Sequence, residues 1–199
     1  MGSSTVTERN NNVERAVRPL AAEQCALIVV DIQEKLLPPM FAKERLVRNA
    51  QLLIRLAGIL DLPVLATTQY ARGLGSIVPE IAELLPDTNF IDKTTFGCFG
   101  HEPFCSALQV LPRTRDTLLI CGMETHICVL QTVLVALEKG YAVHVAADAV
   151  SSRSELNWEL GLERMRRAGA VISSAEMMIY ELLQASNTPQ FKEMLPHLK

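Results

Sequence analysis

From residue 25 onward the chain alternates short apolar runs with longer stretches whose apolar residues recur at helical spacing. The runs that read as strands are Cys25–Val30, Val64–Thr68, Asn89–Asp92, Thr117–Cys121, Ala142–Ala146 and Ala170–Ile172. Between them, Phe41–Leu60 places Leu46, Leu53 and Leu56 on one face, and His126–Lys139 and Ser154–Arg167 repeat the pattern. Gly140 and Gly169 then stand where the residue after a helix C-terminus belongs. Ala175–Gln184 predicts a further helix, and the segment PQFKEML a terminal turn or short helix.

Six apolar strands separated by helices call for a six-stranded, mostly parallel sheet covered on both faces. The expected fold is a single-domain, three-layer α/β/α sandwich of Rossmann-like type, with right-handed crossovers. No repeat or linker divides residues 21–199, so they read as one domain; residues 1–20 are polar and read as a flexible N-terminal arm. A chain of 199 residues with 49% hydrophobic and 21% charged residues buries a core and is too apolar for disorder. Its net charge of −3, without a basic tract, speaks against a nucleic-acid partner. The apolar runs are far shorter than a bilayer requires, and Met1–Arg18 has no apolar core of a secretory signal. No membrane partner and a cytoplasmic location are expected.

Open parallel sheets bind ligands beyond the carboxyl ends of their strands. That singles out Asp31, Gln69, Lys93, the stretch Gly122–Cys128 and Asp148. Asp31 closes the run ALIVVD, where a partly desolvated carboxylate suits general-base work; capping the next segment is its ordinary alternative. Lys93 reads as a surface lysine unless the loop behind it, TTFGCF, turns inward beside an apolar pocket. In DTLLICGMETHICVLQT a buried strand meets a turn, and a helix opens with Cys128 near its start. Unpaired N–H groups there stabilise a thiolate or an oxyanion, although a packing cysteine fits the spacing equally well. The other cysteines form no disulfide or zinc pattern. Cys25 and Cys121 lie in strands and read as inert, Cys105 reads as packing, and Cys98 has no evident partner. No G-x-G-x-x-G follows the first strand and no G-x-S-x-G occurs, so neither a dinucleotide cofactor nor a serine nucleophile is expected.

Taken together, ALIVVDIQEKL, DKTTFGCF and GMETHICVLQT resemble the isochorismatase-like hydrolase superfamily. TTQYARGLGSIVPEI and PQFKEM resemble, more narrowly, the small isochorismatase domain-containing proteins, and the likeness runs from about residue 20 onward. The resemblance implies a catalytic set of Asp31, Lys93 and Cys128. Cys128 is then an ionised, water-accessible nucleophile that attacks a small amide or related C–N substrate and forms a thioester. Asp31 accepts the thiol proton, protonates the leaving amine and activates water, while Lys93 stabilises both anions. The resemblance also implies a cis Met123–Glu124 bond and an oxyanion hole made by the N–H groups of Glu124 and Cys128. Gln33 orients Asp31, lines the pocket or lies on the surface. Tyr70, Phe96, Phe99 and Leu74 form an apolar substrate pocket or cover the sheet or a subunit contact.

Nicotinamidases of the superfamily carry a histidine-containing metal cluster after the second strand. Here that stretch reads ATTQYARGLGS, so no metal and no cofactor is expected. Among the histidines, His144 reads as structural, His126 as facing away from the nucleophile, and His101 as exposed or bordering the pocket. Two other functions stay open: isochorismatase-type vinyl-ether hydrolysis using Asp31 without the thiol, and a non-enzymatic interaction subunit. A homo-oligomer is expected by the same resemblance.

Overall fold

Buried residues on both sides of the central strands demand cover on both faces of the sheet, and the chain supplies it. The structure, a computed structural model, describes residues 18–198. Six strands, β1 (Cys25–Val30), β2 (Val64–Gln69), β3 (Ile91–Lys93), β4 (Thr117–Met123), β5 (Ala142–Ser151) and β6 (Val171–Ser173), form one parallel sheet in the order β3-β2-β1-β4-β5-β6. The chain runs outward from β1 to β3, then returns to lay β4 on the other side of β1. That reversal opens a crevice at the carboxyl ends of β1 and β4.

The helices are α1 (Lys43–Ile59), the short α2 (Ala71–Leu74) and α3 (Pro79–Ala82), α4 (Glu102–Val110), α5 (Leu130–Glu138), α6 (Glu155–Ala168), α7 (Ala175–Leu183) and α8 (Pro189–Met194). Strand alternation divides the core in two. Cys25, Leu27 and Val29 of β1 pack with α1, α7 and α8, while Ala26, Ile28 and Val30 pack with α4, α5 and α6. Ser154 and Ser174 cap α6 and α7 through Asn157 N–H and Met177 N–H. Gly169, with φ of 108°, closes α6 in the left-handed conformation that a side chain disfavours.

The departures from expectation have local causes. The helix expected from Phe41 begins at Lys43, because Ala42 is left-handed (φ 47°) and the Phe41 ring turns onto Trp158 at 6.0 Å. β5 extends to Ser151 because a bulge between its pairings at Val145 and Val150 restores contact with β4. Asp148 therefore lies within β5, and its carboxylate accepts the N–H of Ala175 at the start of α7. It is not at a strand end. The proposed N-terminal arm lies mostly outside the described residues. Its described end is held down: Arg18 pairs with Asp116 at 3.0 Å, and Leu20 is buried in the core. Among the described residues no helix is long and apolar enough to cross a membrane.

Candidate active site

Three strand ends and one turn bring the candidate residues together. Asp31 directly follows β1 with φ of 52°, a conformation uncommon outside glycine that bends the chain off the sheet. Its backbone N–H donates to Thr67 O of β2 (3.1 Å), and the Thr67 hydroxyl donates back to Asp31 Oδ1 (2.7 Å). Lys93 ends β3 and donates its Nζ to Asp31 Oδ2 at 2.6 Å, with both side chains fully buried. The Lys93 ammonium also reaches Gln69 Oε1 (2.8 Å), Phe96 O (3.0 Å) and Thr95 O (3.3 Å). Four acceptors for three protons leave this ammonium with no donor to spare. The TTFGCF loop thus does turn inward, and it does so by giving Lys93 two carbonyls.

The nucleophile candidate reaches the same carboxylate from β4. Gly122 is paired with Val30 at φ of 119°, and a Cβ there would lie 2.0 Å from Val30 O. Only glycine permits that approach between the central strands. The Met123–Glu124 bond is cis. The helix expected from His126 opens instead as a single π turn, Thr125–Val129, before α5 begins. The cause is visible in the hydrogen bonds: Glu124 O accepts from both Ile127 (3.0 Å) and Val129 (3.2 Å), and the Thr132 hydroxyl takes Cys128 O at 2.7 Å. The widened turn sets the Cys128 thiol beside the Asp31 carboxylate and the Glu124 N–H, close enough for both to act on its titration.

Electrostatics correct one expectation. Burial pushes the Cys128 thiol up to about 12, and the Asp31 charge adds to the rise; Lys93 and the Glu124 N–H oppose it without cancelling it. With the residue only 6% exposed, the resting sulfur is a neutral thiol near neutral pH and not a water-exposed thiolate.

The remaining predicted positions divide. Gln33 is buried and spends its amide on backbone, donating to Gln69 O (3.2 Å) and Gly75 O (2.8 Å) and accepting from Gln69 N–H (2.7 Å). It is a clamp on the segment after β2, neither a surface residue nor bonded to Asp31. Tyr70 and Phe96 flank Lys93, as donor to its carbonyl and acceptor from its ammonium, and remain 50% and 55% exposed. Phe99 lies elsewhere. Its ring packs edge-on against Phe104 (5.3 Å) and near Tyr141 (6.2 Å), because the turn Cys98–Gly100 directs it into the second core half. The pocket role expected for it is not met.

Cys98 is buried with its sulfur 3.9 Å from the Thr67 hydroxyl, and its N–H donates to Thr132 Oγ1 (3.0 Å). His126 Nδ1 pairs with Ser152 Oγ at 2.9 Å, and the Glu124 carboxylate with Arg153 Nε at 2.9 Å. Thr67 was missed, although a threonine inside an otherwise apolar strand, VLATTQ, was the available signal. Gln69 stood at a strand end, but its partner Lys93 is seen only once β2 and β3 are paired.

A parallel sheet with an acid, an ammonium and a thiol meeting at its central carboxyl edge has the fold of the isochorismatase-type hydrolases. The comparisons agree. Residues 25–177 match the isochorismatase domain model. The chain is 38% identical over 183 residues to the secreted isochorismatase effector Isc1 of Phytophthora sojae, covering 90% of this chain and 87% of that protein. It is also 38% identical over 177 residues to isochorismatase domain-containing protein 2 of Rattus norvegicus (89% and 82% covered). Among solved structures, the MAR1 ribonuclease of Caenorhabditis elegans superposes with a TM-score of 0.84 at 35% identity (91% and 92% covered). YcaC of Pseudomonas aeruginosa, solved with hexane-2,5-diol and covalent acrylamide, gives 0.84 at 27% (91% and 92%). The YcaC product of Escherichia coli, an octameric hydrolase of unknown specificity, gives 0.82 at 27% (89% and 91%). The chain belongs to the isochorismatase family.

Proposed function

We propose that the chain is a cysteine hydrolase acting on small amides or related C–N bonds through a Cys128 thioester. The observation that carries this reading is a single buried carboxylate, Asp31, that pairs with the Lys93 ammonium at 2.6 Å and lies close enough to the Cys128 thiol for its charge to act on it. As Cys128 attacks the carbonyl carbon, its S–H bond breaks and the proton passes to Asp31. The carbonyl electrons move onto oxygen, which the N–H groups of Glu124 and Cys128 receive. Collapse expels the amine with the proton held by Asp31. Asp31 then takes a proton from the water that hydrolyses the thioester. Lys93, its protons fully engaged, holds the Asp31 carboxylate in place through the 2.6 Å ion pair. The 6% exposure of Cys128 restricts substrates to small or narrow acyl groups.

The E. coli YcaC octamer favours a homo-oligomer here too, in which a neighbouring copy covers the exposed Tyr70 and Phe96 rings. The name of the P. sojae relative favours a second reading, vinyl-ether hydrolysis of isochorismate with Asp31 as the proton source. RNA cleavage, named for the C. elegans protein, is not favoured by a net charge of −3. Incubation with a panel of small amides, with isochorismate and RNA as further substrates, separates these readings. The proposal expects amine release together with an acyl adduct on Cys128. Pyruvate release from isochorismate that survives Cys128→Ala would replace it.

A further inference from the structure

Asp31 has two carboxylate oxygens, and the two have unequal partners. Oδ2 receives a full ammonium from Lys93 at 2.6 Å, whereas Oδ1 receives a neutral hydroxyl from Thr67 at 2.7 Å. An oxygen that accepts a charged donor holds its electrons more tightly, so an incoming proton favours the other. We infer that Oδ1 is the oxygen that takes the Cys128 proton, and that Thr67 is a positioning residue which holds it in place. This deepens the proposed hydrolase reading and rests on it.

Three features make the assignment specific. Thr67 is fully buried in the sheet, so its hydroxyl has no water to turn to. The Asp31 N–H is already anchored on Thr67 O, so acid and hydroxyl form a closed two-bond link between β1 and β2 that fixes the carboxylate's rotation. Beyond Thr67, the Cys98 sulfur stands 3.9 Å from the hydroxyl, and Cys98 N–H is tied through Thr132 Oγ1 to Cys128 O. One continuous chain of contacts therefore sets base and nucleophile relative to each other. Lys93, Cys128 and Cys98 are the titratable groups recorded against Asp31, from β3, from the π turn and from the Cys98–Gly100 turn.

Acrylamide tests this without knowledge of the substrate. In that reaction the Cys128 S–H bond breaks, its proton goes to Asp31 Oδ1, and the sulfur electron pair forms a C–S bond to the terminal alkene carbon. The displaced π electrons take up that proton at the adjacent carbon, returned from Asp31 directly or through water, which leaves the carboxylate as it began. Labelling of Cys128 in the full chain is followed by peptide mass spectrometry from pH 5 to 9. Thr67→Val is expected to slow labelling about tenfold, the worth of a hydrogen bond to a charged group. It is also expected to change the rate–pH profile, since the carboxylate has lost the hydroxyl that holds it. Thr67→Ser keeps the hydroxyl and is expected to restore both rate and profile. Should the valine variant fail to fold, Thr67→Ala removes the same hydroxyl without bulk. Unchanged rate and profile without the hydroxyl, or a serine variant as slow as the valine one, overturns the role of Thr67. Wild-type protein that leaves Cys128 unlabelled overturns the hydrolase reading beneath it.

Discussion

Cys121 and Cys128 lie seven positions apart on either side of Gly122, and burial pushes both thiols up to about 12. Their surroundings have little else in common. Cys121 sits inside β4 among Leu119, Met123 and the α1 face of the core, and desolvation is the only influence recorded on it. Cys128 sits past the strand end, where the same desolvation is joined by the charges of Asp31 and Lys93 and by the Glu124 N–H. The contrast teaches that a buried, neutral cysteine is not thereby inert. What decides reactivity is whether a base waits for the proton and donors wait for the developing charge. Desolvation alone acts on Cys121, whereas Cys128 stands beside the Asp31 carboxylate, which the proposed mechanism makes its proton acceptor.

The comparison breaks most sharply at the sulfur. Cys128→Ala is expected to abolish both amide turnover and adduct formation, whereas Cys121→Ala leaves both in place; assays of the two variants on the same amide panel read this directly. Removing the base comes next. Asp31→Asn keeps the shape of the site but cannot accept the proton, and is expected to lower kcat by about 10²–10⁴, the usual contribution of a general base. Lys93→Met leaves the Asp31 carboxylate buried without its cation, which is expected to cost about 3–5 kcal/mol in a denaturant titration. The smallest effect is shared by the buried thiols and is seen in alkali. Cys25, Cys121 and Cys128 are raised to about 12 and Cys98 to about 11, from an ordinary 9.0. The fold prefers their neutral form, so this contribution to stability is complete below pH 9 and lost as pH rises through the range 11 to 12. Melting curves taken from pH 8 to 11 are expected to show Tm falling above pH 9, less steeply in Cys121→Ala.

Much of this was legible in the sequence because strand periodicity locates strand ends, and strand ends locate Asp31, Lys93 and the turn to Cys128. The bounds of β1 were read without error for the same reason: CALIVV is buried on both faces and Asp31 stops it. What escaped depends on pairing between distant strands. Thr67 and Asp31 are 36 residues apart, and their bond exists only because β1 and β2 are neighbours in register. Phe99 misled because a loop aromatic next to Lys93 can turn either way, and the turn Cys98–Gly100 sends it toward Phe104. The π turn escaped because helical spacing does not register one extra residue in the first turn, although that residue sets the reach of Cys128.

The central claim is that Cys128 attacks while Asp31 holds its proton. Rapid-quench intact-mass and peptide analysis during turnover of an amide substrate tests it most directly. The account predicts one acyl group on the Cys128 peptide, decaying at the rate at which acid product appears and absent in Asp31→Asn. Product formed with no acyl group on Cys128, or acylation equally fast in Asp31→Asn, would contradict it.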